Sequence, residues 1–168
     1  MKPNVVKAVN DQIQAEMSSA YTYLAMSAYF EDDIYPGAAA WLRTQWEEEQ
    51  VHAFKFYTHL LERGEKVELQ AIPKPKADWG TPLEAFEEVL KHEQYITQRI
   101  DDLYALAVDE RDYPLQSLLQ WFIDEQVEEE DNARSIIDRL KLAGNAGPGM
   151  LLVDQELGQR TTVDAEGE

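Results

Sequence analysis

At 168 residues, with 44% apolar and 29% charged side chains, the chain has the size and balance of one globular domain with its own core, which excludes a chain that is disordered or fibrous as a whole. Thirty-three acidic against 15 basic side chains give a formal charge of −18, which repels phosphate backbones and anionic lipid and attracts cations, so neither nucleic acid nor membrane is an expected partner. With no cysteine there are no disulfides, thiolate zinc sites, iron–sulfur clusters or thiol nucleophiles; no leader pattern and no run near ~20 apolar residues is present, so the cytoplasm is the expected compartment.

Proline and glycine divide the sequence into four long periodic segments, near 4–33, 37–63, 82–109 and 113–143, and a short fifth near 148–157, all predicted helices. The first breaks at Tyr35-Pro36-Gly37 and the second stops at Gly64. Residues 65–81 follow, interrupted by Pro73 and Pro75 and without helical period. A connection that long in a compact domain needs a reason. Seventeen extended residues reach at most ~55 Å and a 27-residue helix is ~40 Å long, so this segment can run the length of a bundle and make helices two and three parallel. Thr81-Pro82-Leu83-Glu84 opens the third segment with a capping box and proline at the first helical position. The fourth stops at Gly144, and the other connections are short enough to make helices one and two, and three and four, antiparallel neighbours. The expected fold is all-α: a four-helix bundle with one long crossover between helices two and three and a short fifth C-terminal helix. It spans residues 1–158, and 159–168 are expected to form a disordered tail.

Each long helix carries an inward stripe in steps of three and four. Helix one reads Val9, Ile13, Glu16, Ala20, Tyr23, Ser27, and helix two Leu42, Gln45, Glu49, His52, Phe56, His59. Helix three reads Phe86, Leu90, Glu93, Thr97, Ile100, Tyr104, and helix four Leu115, Leu119, Phe122, Gln126, Glu129, Ala133, Ile136, Leu140. Every stripe thus puts one Glu near its helix midpoint: Glu16, Glu49, Glu93 and Glu129. Midpoints of helices of similar length share one level whatever their direction, so these four carboxylates, His52 and Gln126 should converge. Any one of them, taken singly, reads as a stripe-edge residue that snorkels to water. Four at one level do not, because buried carboxylates stay ionised only beside cations. His52 lies one turn after Glu49, so both side chains reach a common ion, and oxygen-rich ligation with one imidazole suits iron or manganese better than structural zinc. His59 and His92 lack such a placement and are left outside the site.

The stretches NDQIQAEMSSAYTYL, GAAAWLRTQWEEEQVHAFKFY, KHEQYITQRI and LLQWFIDEQVEEEDNARSIIDRLKLAG resemble prokaryotic non-haem ferritins over nearly the whole chain. Ferritin-like di-iron bundles commonly carry Glu-x-x-His on two helices. Here helix two has Glu49-x-x-His52, but helix four has Gln126-x-x-Glu129, as ferritins themselves do. The position after Glu49 is Gln50, where haem-binding relatives have a methionine ligand, so no haem is expected. The resemblance implies two iron ions per subunit. Glu16, Glu49 and His52 would hold one, and Glu49 would bridge to a second held by Glu93 and Glu129, with Gln126 hydrogen-bonding nearby. A third iron site would match Glu48, Glu125, Glu128 and again Glu129, although such acidic runs also occur on any solvated face. Tyr23 matches a family tyrosine that can donate an electron.

What the resemblance implies for function is ferroxidase chemistry: Fe(II) oxidised to Fe(III) by O₂ or hydrogen peroxide and stored as mineral inside a homo-oligomeric shell of twenty-four subunits. Tyr29, Phe30, Tyr35 and Trp79 read as exposed and are candidate interface residues, and Met150 to Leu157 resembles the short helix lining ferritin four-fold channels, with packing on its own subunit as the alternative. The rival readings are a di-iron oxygenase or peroxidase of the same superfamily, which would need a substrate cavity beside the metals, and a metal-free bundle whose polar layer sets register. Tyr23, Phe56, Leu90 and Phe122 flank the expected centre and look too bulky to leave such a cavity.

Overall fold

A computed structural model describes residues 1–144 and 147–160. Its helices are α1 (Pro3–Asp32), α2 (Pro36–Glu62), α3 (Pro82–Asp109), α4 (Tyr113–Ala143) and α5 (Pro148–Leu157), each within a residue or so of its expected bounds. The chemistry of the breaks explains the agreement. Proline opens all five helices at the first or second position. Thr81 and Glu84 form the reciprocal capping box of α3, Asp112 caps α4 by accepting from the Leu115 N–H at 3.2 Å, and Gly144 ends α4 with φ 72°.

The crossover runs along α1. Its backbone meets Asn10 at Lys66 and Glu68, Gln14 at Ala71, and Tyr29 at Gly80, so it travels from the N-terminal toward the C-terminal end of α1. α2 and α3 are therefore parallel, and the molecule is two antiparallel hairpins, α1–α2 and α3–α4, docked face to face. No described helix is long and apolar enough to cross a membrane.

The interior consists of two apolar cores separated by a polar layer. One holds Met26, Phe30, Leu42, Phe86, Val89, Ile136 and their neighbours, and the other holds Val9, Phe56, Leu60, Ile96, Ile100, Leu115 and Leu119. The stripes of α1 and α4 are buried throughout, and that of α2 up to half-buried His59. On α3, Leu90, Thr97 and Tyr104 lie only at the margin, and Val89, Ile96 and Leu103 take the interior. Steps of three-then-four and four-then-three share Phe86, Glu93 and Ile100. Apolar residues on both sides of Glu93 left the choice to packing.

Tyr29, Phe30, Tyr35 and Trp79 are corrected from the interface to the subunit interior. Phe30 and Trp79 are 0% and 6% exposed, while Tyr29 and Tyr35 pack edge-on around Phe30 with ring centroids 5.1 and 6.2 Å away. The crossover folds back over the end of α1, where Trp79 joins the cluster around Phe30 and Tyr29 Oη donates to the Gly80 carbonyl at 3.1 Å; Tyr29 and Tyr35 pack against that cluster and remain half-buried.

α5 packs on its own chain through Met150, Val153 and Leu157. The Asp154 carboxylate accepts from the N–H groups of Gly37 and Ala38 at 3.1 and 2.9 Å, so it caps the N-terminus of α2 and complements its dipole. Gly37 makes this possible, since a Cβ there would lie 1.6 Å from the Asp154 carbonyl oxygen. Of the tail expected from residue 159, 161–168 lie outside the described residues. Arg160 is fixed by side-chain hydrogen bonds.

Candidate metal centre

The polar layer is built by the midpoint residues of the four long helices. Glu16, Glu49, Glu93, Gln126 and Glu129 are each 3% exposed or less, and His52 is 4% exposed. Among the described residues, one acidic and histidine cluster can hold a metal: Glu16, Glu49 and His52, whose ligand atoms lie within 4.8 Å of one another. Glu16 comes from α1 and the other two from one face of α2, where the i and i+3 positions stack.

The hydrogen bonds set the other two carboxylates apart. Glu93 is engaged at both oxygens, with Oε1 accepting from Tyr23 Oη and Oε2 from Gln126 Nε2 at 3.3 Å. Glu129 Oε2 accepts from Gln45 Nε2 at 2.9 Å. By contrast, Glu16 Oε2 and Glu49 Oε2 are buried and receive no hydrogen bond from any other residue; the two carboxyls face each other, and only a proton shared between them would satisfy the pair. Orphaned carboxylate oxygens in an apolar interior are costly, and two of them beside an imidazole form a donor set suited to a hard or borderline divalent cation. The residues fit a metal ion.

The electrostatics agree. Burial, opposed by the Gln12 hydrogen bond, pushes the Glu16 carboxyl up to about 7. Burial and then repulsion from Glu93, Glu16 and Glu129 push Glu49 well above the carboxylate range. Glu129 is raised in the same way, by burial and then Glu93. Glu93 is raised by burial, although bonds from Tyr23 and Gln126 restrain it. Burial holds His52 down at about 4, so its ring is neutral and its nitrogens are available to a metal. Trp121 and Phe122 pack edge-on against that ring at 5.4 and 5.8 Å, and Phe122 stacks on Phe56 at 4.2 Å, closing this wall with aromatic surface.

The third-site candidates are less gathered. Glu48 is buried and pairs with Arg160 at 2.7 Å, Glu125 is half-buried with Oε1 3.9 Å from His52 Nε2, and Glu128 is exposed. Tyr23 is fully buried, and burial followed by the charge of Glu93 raises its hydroxyl well above the usual phenol range, so it donates to Glu93 as a neutral phenol.

Sequence reasoning missed two supporting relays. Arg99 Nε donates to Gln12 Oε1 at 3.0 Å, and Gln12 Nε2 donates to Glu16 at 2.8 Å. Arg160 Nη1 donates to Gln45 Oε1, and Gln45 donates to Glu129. In each, an arginine fixes which way a glutamine amide faces, and the amide fixes a glutamate. Gln45, one turn before Glu49 on the stripe, was the only signal available.

Residues 6–143 match the family model described as a ferritin-like domain. The chain is similar to bacterial non-heme ferritins from Bacteroides fragilis (42% identity, covering 91% of this chain and 95% of that one) and Escherichia coli O6:H1 (38%, 99% of both). Among solved structures it is similar to the open-pore ferritin of the hyperthermophilic archaeon Archaeoglobus fulgidus, with TM-score 0.94, 42% identity, and coverage of 96% of this chain and 99% of that one.

Proposed function

Since the chain belongs to the ferritin family, we propose that it stores iron: its subunits bind Fe(II) at the polar layer, oxidise it to Fe(III) and pass it to a mineral held inside a closed shell of identical subunits. The observation that carries this reading is the pair of orphaned oxygens on Glu16 and Glu49 beside neutral His52. Fe(II) is the substrate. In this reading Glu16, Glu49 and His52 take the first ion, and Glu49 is shared with a second that Glu93 and Glu129 accept once Tyr23 and the glutamine amides release them. The asymmetry implies ordered filling, because the first ion meets unsatisfied oxygens and the second must displace hydrogen bonds.

Binding also moves protons. Burial and mutual repulsion favour the protonated forms of Glu16 and Glu49 in the metal-free protein, and a divalent ion displaces those protons as it binds. Each Fe(II) then gives up one electron. Two electrons and two protons convert O₂ to hydrogen peroxide, or hydrogen peroxide to two waters, so a pair of ions matches the demand of either oxidant. Carboxylates favour Fe(III) over Fe(II), which assists the oxidation. Reduction of O₂ all the way to water needs two electrons beyond the pair, and in this reading Tyr23, hydrogen-bonded to Glu93, is the donor of one of them.

The cytoplasm is the compartment that suits an iron reserve, and the resemblance makes twenty-four the subunit number. An oxygenase or peroxidase is disfavoured by the family relationship and by the aromatic wall at Phe56 and Phe122. Stopped-flow absorbance during aerobic Fe(II) addition tests the centre. Glu49→Ala and His52→Ala should each slow the fast oxidation phase by more than the roughly 10–100-fold that losing an outer-shell partner of a metal ligand costs. Unchanged fast oxidation in both variants would refute the assignment.

A further inference from the structure

Beyond the four long helices, one charged group reaches the centre from the chain's far end. Arg160 follows α5 by three residues, and its guanidinium is gripped on three sides. Nη2 donates to Glu48 Oε2 at 2.7 Å, Nη1 donates to Gln45 Oε1, and the charge lies 4.6 Å from the centre of the Trp41 ring. Through Gln45 the contact continues to Glu129 Oε2.

We propose that Arg160 is a tethered cation standing in for a metal ion at the Glu48 and Glu129 side of the centre, and that a third ion binds there only by displacing it. The inference rests on the two-metal reading above and adds a competitor to it.

Three observations support the competition. First, a cation approaching from this side meets acceptors already engaged, Glu48 Oε2 by the guanidinium and Glu129 Oε2 by the amide that the guanidinium orients. Second, the guanidinium bonds Glu48 directly and reaches Glu129 through the single Gln45 amide, so one cation is already shared between the two carboxylates that an ion here would use. Third, it has somewhere to go. The side chain is 19% exposed and borders a cavity of about 370 Å³ shared with Trp41, Glu128, Asn132 and Glu156.

Its counterpart behaves differently. Arg99, in the relay to Glu16, sits within α3 and makes a second bond to the Asp11 carbonyl at 2.9 Å, so the fold itself holds it. Arg160 is held by the docking of α5, through Asp154 at Gly37 and Ala38. Releasing Arg160 also frees Gln45 to turn its carbonyl oxygen toward Glu129, exchanging a donor for a further oxygen ligand.

Anaerobic calorimetric titration of the assembled protein with Zn²⁺ counts ions per chain. Wild type should take two ions and a weak third. Arg160→Gln should leave the first ion unchanged, ease the second, whose ligand Glu129 the Gln45 amide holds, and tighten the third about tenfold or more, within the range for changes beside a metal's ligands. Arg160→Lys, which keeps charge without the fork, should fall between. A third-ion affinity equal in wild type and Arg160→Gln, or no third ion in either, overturns the inference and leaves the two-metal reading intact. Failure of wild type to bind even two ions overturns that reading, and this one with it. Zinc-soaked wild-type crystals give an answer independent of any variant. Zinc on Glu48 and Glu129 with Arg160 swung away supports displacement, whereas zinc there with Arg160 still on Glu48, or no zinc there at saturation, contradicts it.

Discussion

Glu16, Glu49, Glu93 and Glu129 betrayed themselves in sequence because each breaks an apolar stripe at the same depth, and a buried carboxylate is too costly to occur four times without a use. Arg160 and Gln12 gave no such sign. One lies beyond the last helix and the other beside the stripe of α1, and their roles depend on which glutamine and which glutamate lie across the seam. The raised carboxyls predict how the metal-free protein responds to pH. Glu16 has a folded value of about 7, above its ordinary 4.5, so its contribution to stability is complete below the ordinary value and is lost as pH rises through 7. Glu49 and Glu129, raised further, extend that loss upward. His52 has the opposite sign, depressed to about 4, and its contribution is already complete above 6.5. From a pH of about 6.5 up through 7 the carboxylates act alone. Thermal unfolding of metal-free protein should therefore show a midpoint that falls over this range, with saturating Zn²⁺ flattening the slope. A metal-free midpoint that rises with pH contradicts the proton inventory of the centre.

Helix bounds were legible because their causes are local: a proline near each start, Thr81 with Glu84, and Gly144 where the backbone turns to positive φ. The mistaken surface assignment of Phe30 and Trp79 had the opposite origin. Nothing within either segment says that the crossover folds back over α1, so their burial is a property of two elements together. The docking of α5 is of the same kind. Its short length gives it little helical stability of its own, and its position depends on Asp154 reaching the first N–H groups of α2. Asp154→Ala should cost about 1 kcal/mol, as the loss of a helix cap does, and should also loosen Arg160 from Trp41. Thermal melts measure the first effect. The second is read as a change in the Trp fluorescence of Asp154→Ala that is absent when Trp41 is already Phe. Full stability with an unaltered spectrum would show that α5 is held by its apolar contacts alone.

For the whole molecule, the exposed apolar side chains are the candidates for contacts between subunits, and any such contact has to overcome the repulsion of a −18 charge on each chain. Ile34, Tyr113, Val127, Leu142, Leu151 and Leu152 are each 60% exposed or more, whereas the aromatics first considered for interfaces are covered internally. Size-exclusion chromatography with light scattering should give a particle near twenty-four times the 19.3 kDa chain, with electron-dense cores after iron loading. A monomer or dimer at micromolar concentration would remove the storage volume and the proposal that depends on it.

The division into two hairpins also bears on how the chain reaches its native state. Glu16, Glu49 and His52 all belong to α1–α2, whereas Glu93, Gln126 and Glu129 belong to α3–α4. Each hairpin forms from contacts close in sequence, so both can assemble early, before the crossover is laid along α1. Docking them is then the step that strips water from four carboxylates at once. That seam is the natural place for a late barrier in folding and for the lowest-energy opening of the finished bundle. An ion captured by the first hairpin alone, before the second arrives, would remove much of the repulsion that the second has to overcome.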